Sequence, residues 1–271
     1  MDSCYYYREY KLPKGNLDST VDCTYVLIMH DSPREDQIYQ HIMKAEPTSR
    51  VFFQYNFGYK KCNKSLRENK PNIDLEDAYK TVFKHALERG CKRILVLEDD
   101  CEFDERIRDP EIVEDLNTFF TEKNPDIYNL GTTFGFPLPT DVIVGKKHQL
   151  LMYNSASHAV IYNDKYMNFA IENDFLGGHS DFETNRHLSK YTYKFPLAYQ
   201  KVVETENAKE GWGSAYFLLD NLIVKPSGID KIVQPGYDNI KKAYDYISVI
   251  CFVLSTLLTV YLIKMNIRKS S

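Results

Sequence analysis

Apolar residues along the chain recur with two periods, one of strands and one of helices. CTYVLIMH, Cys23 to His30, is an almost unbroken apolar run that ends in the polar turn DSPRED; it predicts a strand buried on both faces, then a helix through Ile38 to Lys44. VFFQYNF predicts a second strand. Leu75, Ala78, Tyr79, Val82, Phe83, Ala86 and Leu87 then form one helical stripe, with Asp74 as its cap and Gly90 as its stop. That helix leads into RILVLEDD, where Ile94 to Leu97 predict a third strand. Asp109 and Pro110, as N-cap and first helical residue, open a helix whose apolar face is Ile112, Val113, Leu116, Phe119 and Phe120. DIYNLG predicts a strand, and LPTDVIVGKKHQLLMYNSASHAVIYN predicts two or three strands of antiparallel hairpin around a Gly-Lys-Lys turn. A helix from Asp164 to Gly177-Gly178 follows, and from about Glu204 the pattern weakens into irregular wrapping. Strands alternating with helices, without an internal repeat, predict an α/β domain around a largely parallel sheet.

The pattern changes once more near the end. YISVICFVLSTLLTVYLI, Tyr246 to Ile263, holds eighteen residues without a charge. As a helix it measures roughly 27 Å, close to the ~30 Å of a bilayer's hydrocarbon. Lys241 and Lys242 precede it, Lys264, Arg268 and Lys269 follow, and Tyr244, Tyr246 and Tyr261 lie near its ends. A buried terminal helix is the alternative, but such helices keep a polar face. The expected organisation is an N-terminal extension over 1–21, an α/β domain over 22–205, an irregular wrap and linker over 206–245, a transmembrane helix over 246–263 and a basic tail over 264–271. Basic residues on both sides leave orientation open by charge. The tyrosine-rich start MDSCYYYREYKLPKG has no apolar export segment, which predicts a cytosol-facing domain on a single-pass C-terminal membrane anchor.

Composition narrows the function classes. At 43% hydrophobic and 27% charged the chain can fold throughout, and a net charge of -4 with no long Lys/Arg run argues against a nucleic-acid partner. The six cysteines, Cys4, Cys23, Cys62, Cys91, Cys101 and Cys251, lack paired CxxC spacing and predict neither a zinc site nor a disulfide framework, as in a reducing compartment. Asn63-Lys64-Ser65 matches a glycosylation sequon, which without an export signal is expected to be coincidence.

The chemistry centres on Glu98, Asp99 and Asp100, directly after the third strand. Adjacent carboxylates repel unless a cation is near, so the turn calls for a metal ion, a cationic ligand or open solvent. In open α/β sheets ligands bind at the carboxyl ends of strands, where this triplet falls. Magnesium and manganese take oxygen ligands, commonly one or two carboxylates plus substrate phosphates, and neutralise a diphosphate leaving group. A solvated acidic turn is the plain alternative.

ERGCKRILVLEDDCEF, preceded by a capped helix and by a first strand ending in a polar turn, resembles the nucleotide-sugar half of the family 25 glycosyltransferases. That family includes bacterial lipopolysaccharide glycosyltransferases and collagen hydroxylysine galactosyltransferases, with relatives in large DNA viruses. LEDD resembles the Asp-x-Asp motif of the GT-A fold, with Glu98 and Asp100 in the paired positions, and the likeness extends over roughly 22–205 to the later strands and PLAYQ. It implies a Rossmann-like mixed sheet flanked by helices, a UDP-sugar donor, and Mn2+ or Mg2+ held by Asp100 and Glu98. It further implies a hexose passed with inversion to a glycan or protein hydroxyl acceptor. His30, Asp31, Ser32 and Arg34 follow the first strand where the nucleotide would lie, and with Glu98 and Asp99 they form the expected donor-binding set; Arg34 could instead be an ordinary helix-start residue. The chain lacks the family's export signal and the collagen enzymes' retention tail, and it adds an anchor, which argues against a lumenal collagen-modifying role.

Inversion requires a carboxylate that takes the acceptor's proton. GGHSDFETNRH offers Asp181 and Glu183; Ser180 and Glu183 form a capping box, which gives Glu183 a structural task and leaves Asp181 as the expected base, with Glu183 as runner-up. His179 is a further metal ligand, an acceptor contact or a surface histidine in a glycine turn. His158 is expected in the core, Ser155 and Ala156 leave room for sugar, and Tyr199 and Gln200 match the family's Pro-x-x-x-Gln end or form a plain strand edge. Trp212, between Gly211 and Gly213, stacks on a sugar or covers core. Two other readings compete: an inactive glycan-binding or scaffold module, and a magnesium-dependent phosphoryl-transfer enzyme. The second is weakened by the lack of a GxxxxGK[ST] loop.

Overall fold

A computed structural model describes residues 4–173, 188–201, 226 and 233–270. Its centre is a seven-stranded mixed sheet of order β1-β3-β2-β4-β7-β6-β8. β2 (Cys23–Met29), β3 (Arg50–Asn56) and β4 (Arg93–Glu98) run parallel. β7 (His148–Asn163) is antiparallel to β4, β6 (Ile127–Pro137) is antiparallel to β7, and β8 (Lys190–Tyr193) runs parallel to β6. The sheet is thus mixed and flanked by helices, as the resemblance implies, rather than largely parallel as the alternation of elements alone predicts. β1 (Tyr5–Lys11), from the segment expected to be an extension, pairs antiparallel with β3 as an edge strand.

Alternation along the parallel strands divides the core into two layers, because successive side chains point to opposite faces. Val26 and Ile28 of β2 and Leu95 and Leu97 of β4 face α1 (Glu35–Ala45) and α3 (Pro110–Lys123), packing on Ile38, Ile42, Leu116 and Phe120. Tyr25 and Leu27, with Ile94 and Val96, face α2 (Pro71–Glu88) and α5 (Asp164–Glu172), packing on Val82, Phe83, Ala86 and Met167. Both faces of β2 and β4 are buried, as their unbroken apolar runs predict.

Helix starts follow the sequence in part. Asp109 caps α3 by accepting from the Glu111 amide at 2.9 Å, with Pro110 at the first helical position. Gly90, with φ +74°, follows the end of α2. Asp74 is not the cap of α2: the helix starts one turn earlier at Pro71, and Asp74 turns inward to pair with the buried Lys64. The expected hairpin of two or three strands is instead a short helix, α4 (Pro139–Ile143), and the single long β7. Proline at the first turn favours that helix, because its missing N–H is not needed there.

The cysteine reading is corrected. Cys4 pairs with Cys62 and Cys23 with Cys91, at Cα separations of 5.7 and 6.6 Å; the partners lie 58 and 68 residues apart, so short-range spacing could not show them. The last element is also longer than expected. α6 (Val233–Ser270) is one continuous helix that takes in the end of the expected linker, and Tyr237 to Ile267 is long and apolar enough to cross a membrane.

Candidate active site

The carboxyl ends of β2, β3 and β4 open into one cleft of about 440 Å³. Three connections build it. The turn after β2 brings Asp31, Ser32 and Arg34; the turn after β4 brings Glu98, Asp99 and Asp100; and the loop between β3 and α2 brings Tyr59, Lys60 and Lys61. Of the expected donor-site residues, His30 is the exception. It points outward, with Nδ1 3.0 Å from the Tyr6 hydroxyl and its ring against Phe57 at 4.3 Å between centroids.

The three carboxylates after β4 have different partners. Asp99 is held by a fork: Arg34 Nη2 donates to Oδ1 at 2.7 Å, Arg34 Nε donates to Oδ2 at 3.1 Å, and the Ser32 hydroxyl adds a bond to Oδ2 at 2.9 Å. Planar bidentate pairing of this kind is the strong form of an ion pair. Arg34, at the N-cap position of α1 and in the lining of the cleft, is thus the cation that offsets the acidic turn. Glu98 is partly exposed and takes a long contact from the Tyr79 hydroxyl at 3.5 Å.

Asp100 is the exceptional member. Its side chain is 4% exposed, Oδ2 accepts from Gln200 Nε2 at 2.9 Å, and Oδ1 has no hydrogen-bond partner. Burial, partly offset by the bond from Gln200, pushes its pKa up to about 6. Gln200 comes from β9 (Ala198–Gln200), which pairs with β5 (Cys101–Phe103) in a separate two-stranded ribbon where Gln200 stands opposite Cys101. Tyr237 of α6 holds that ribbon, donating to the Gln200 carbonyl at 3.1 Å and accepting from the Gln200 amide at 3.2 Å. Sequence reading noted Gln200 but not its task, and no local signal points to Tyr237.

The wall formed by the β3–α2 loop is anchored from below. Lys64, nearly buried, donates to Asn56 Oδ1 at 2.6 Å and to the Tyr5 hydroxyl at 2.7 Å, and pairs with Asp74. Burial lowers the Lys64 pKa, and the bond to Asp74 opposes that shift. Cys4–Cys62 ties the same loop to the start of β1. Lys61 pairs with Asp31 across the cleft mouth, and that bond holds the Asp31 carboxyl below its ordinary range. On the floor, Gln54 donates to the Tyr7 hydroxyl at 3.0 Å and the Ala78 carbonyl at 3.1 Å, which leaves its Oε1 a second buried acceptor without a partner.

His158 is buried as expected, beside Gly131 and with its ring 5.9 Å from that of Tyr237. Tyr199 packs near the Tyr237 ring at 5.9 Å. Asp181, Glu183, His179 and Trp212 lie outside the described residues, as do the side chains of Ser155 and Ala156.

No protein-family model matches the chain, and no curated protein does. Similar solved structures include a protein from STIV, 12% identical, covering 67% of this chain and 86% of that one, at a TM-score of 0.41. A glycosyltransferase involved in the glycosylation of the major capsid of PBCV-1 is 8% identical, covering 69% of this chain and 96% of that one, at a TM-score of 0.39. HddC from Yersinia pseudotuberculosis is 13% identical, covering 65% and 71%, at a TM-score of 0.36.

Proposed function

We propose that the chain is a nucleotide-sugar-dependent transferase of the family 25 type that its acidic turn resembles, tethered to a membrane by α6. The observation that carries this is Asp100, a buried carboxylate whose Oδ1 lacks a partner at the carboxyl end of a parallel strand, in a cleft sized for a small ligand. A buried acceptor without a donor costs about 1–3 kcal/mol, and a divalent cation removes that cost. Among the described residues no group of three or more His, Cys, Asp or Glu converges on one point, and Asp99 is committed to Arg34. The donor set therefore fits a magnesium or manganese ion shared with ligand phosphates rather than one caged by protein, with Asp100 and Glu98 as its protein ligands and His179 as a further candidate.

Such an ion neutralises the diphosphate as it leaves. Lys60 and Lys61 offer cationic groups at the cleft wall, Tyr59 an aromatic face, and Gln54 Oε1 an acceptor for a base N–H. In this reading UDP-sugar is the donor, Asp181 removes the proton of a glycan or protein hydroxyl with Glu183 as runner-up, and a hexose moves with inversion. The cysteine pairs favour an oxidising compartment for the domain over the cytosol-facing placement expected from the N-terminus.

The test is UDP release by the full chain in detergent from a panel of UDP-sugars, with manganese, with magnesium and with chelator. Release should require metal, favour one sugar and fall at least about a hundredfold in Asp100→Asn. Normal turnover by that variant, or no metal-dependent UDP binding by calorimetry, would reject the reading and return weight to an inactive scaffold.

A further inference from the structure

α6 does not hang from the domain on a linker. Tyr237, Ile240, Tyr244 and Ser248 are buried at spacings of three and four residues, one stripe along the helix. Tyr244 packs on Phe136 at 4.7 Å between ring centroids, and Lys241 Nζ donates to Gln149 Oε1 at 2.7 Å. The stripe ends at Ser248, already inside the uncharged segment that starts at Tyr246. Where that segment enters a bilayer, the domain surface beside Tyr244 and Ser248 must meet the headgroups.

That surface has an unusual composition. Outside α6, the exposed large hydrophobic residues among the described ones are Met29, which lines the cleft, and Ile143, Val144, Met152 and Tyr153. Ile143 and Val144, 57% and 67% exposed, end α4, which packs against α6. Tyr153 stands opposite Phe136 in the β6–β7 pairing, one strand from the α6 contact, with Met152 beside it. Lys146 and Lys147 follow Val144 in the same turn; they pair with Asp141 at 2.7 Å and Asp115 at 3.0 Å, yet their side chains stay 56% and 53% exposed and within reach of headgroups. Apolar and aromatic side chains flanked by lysines match the boundary between acyl chains and phosphates.

We propose that Ile143, Val144, Met152 and Tyr153 form a second membrane contact, dipping into the lipid interface beside α6 with Lys146 and Lys147 at the phosphates. The inference rests on α6 spanning the bilayer. It has a consequence for substrate. β6 runs in the same direction as β4, and the β6–β7 hairpin continues beyond the carboxyl end of β4. Tyr237 holds Gln200, the partner of Asp100, and the uncharged segment begins nine residues further along α6, at Tyr246, roughly 14 Å away. The cleft thus opens at the membrane-facing end of the sheet, about that far from the surface, which suits an acceptor carried on the membrane.

Depth-dependent quenching tests this. Single tryptophans are placed in the full chain with Trp212→Phe, at Val144, at Met152, at Leu257 in the spanning segment and at the exposed Glu122. The proteins are reconstituted in vesicles containing phospholipids brominated near the top or the middle of the acyl chain. Val144→Trp and Met152→Trp should be quenched about twofold by shallow bromines and less by deep ones, with Glu122→Trp unaffected. If Leu257→Trp is quenched and the two patch positions behave like Glu122→Trp, the second contact is wrong while the anchor stands. If Leu257→Trp is not quenched, the anchor fails and the proposal falls with it. Blue-shifted but unquenched emission at the patch would mean that the chain itself covers it, which also overturns the proposal.

Discussion

Burial governs the charge state of Asp100. With its pKa near 6 in the folded chain, against about 3.9 when unfolded, the carboxyl takes up its proton in the fold before it does in the open chain. Above pH 6 both states are ionised and the metal-free fold carries the whole desolvation cost. As pH falls towards 4 the folded carboxyl is neutralised first and that cost disappears. Metal-free Asp100→Asn should therefore exceed the parent chain in stability by on the order of 2–3 kcal/mol at pH 7.5, with the difference closing near pH 4. Urea unfolding across that range checks it, and a variant that is weaker at every pH would mean the carboxylate is stabilised by contacts rather than penalised. Close approach matters equally at Gly131, where an added Cβ would stand 2.1 Å from the Ala198 carbonyl oxygen and 2.4 Å from His158 Nε2. Backbone cannot yield as a flexible side chain does, so Gly131→Ala should lose at least the 1–3 kcal/mol or so typical of overpacking, read as a lower urea midpoint with unchanged slope. At this scale the acidic turn was legible, because three carboxylates after an apolar run have few structural uses. Its division of labour was not, since the Arg34 that occupies Asp99 lies 65 residues away in sequence.

Among the elements, α6 joins the long apolar segment to the acidic turn. Its Tyr237 hydroxyl brackets both backbone groups of Gln200, whose side chain orients Asp100. Tyr237→Phe keeps the ring and removes those bonds, so Gln200 loses its fixed position. On the proposed role of Asp100 as a ligand of the metal at the diphosphate, turnover should drop roughly tenfold with the donor KM little changed, because the base and sugar contacts are untouched. An equal rise in KM would assign Tyr237 to donor binding instead. The bonds to Gln200 were not legible along the chain: Tyr237, Ile240 and Tyr244 recur at helical spacing, but what that face docks on, Phe136 and Gln149, is about a hundred residues away in sequence. Strands with both faces buried, β2, β3 and β4, were legible because the apolar run is its own signal, and α2 and α3 because their apolar stripes are. β1 was missed because an edge strand buried mainly at its first residue, YYYREYK, shows little alternation. The long β7 was broken in expectation by Gly145-Lys146-Lys147, which instead terminate α4 and precede the strand.

At the scale of the whole molecule, the proposed membrane anchor makes the side on which the domain lies a testable property. Lys264, Arg268 and Lys269 follow the apolar segment and Lys231, Lys241 and Lys242 precede it, so the charges do not choose a side. The cysteines weigh more. Two pairs with Cα separations of 5.7 and 6.6 Å are within reach of disulfide geometry, and such bonds persist where the environment is oxidising. Asn63 gives an independent reporter: it is exposed on the loop beside the cleft, within Asn63-Lys64-Ser65, a sequon glycosylated only on the lumenal side. Translation of the full chain with microsomes should yield a domain protected from added protease, a glycan removable by endoglycosidase and absent from Asn63→Gln, and non-reducing peptide maps linking Cys4 to Cys62 and Cys23 to Cys91. A domain that is digested, unglycosylated and alkylated at all four of these cysteines would put it in the cytosol, with the cleft facing acceptors on the cytosolic leaflet.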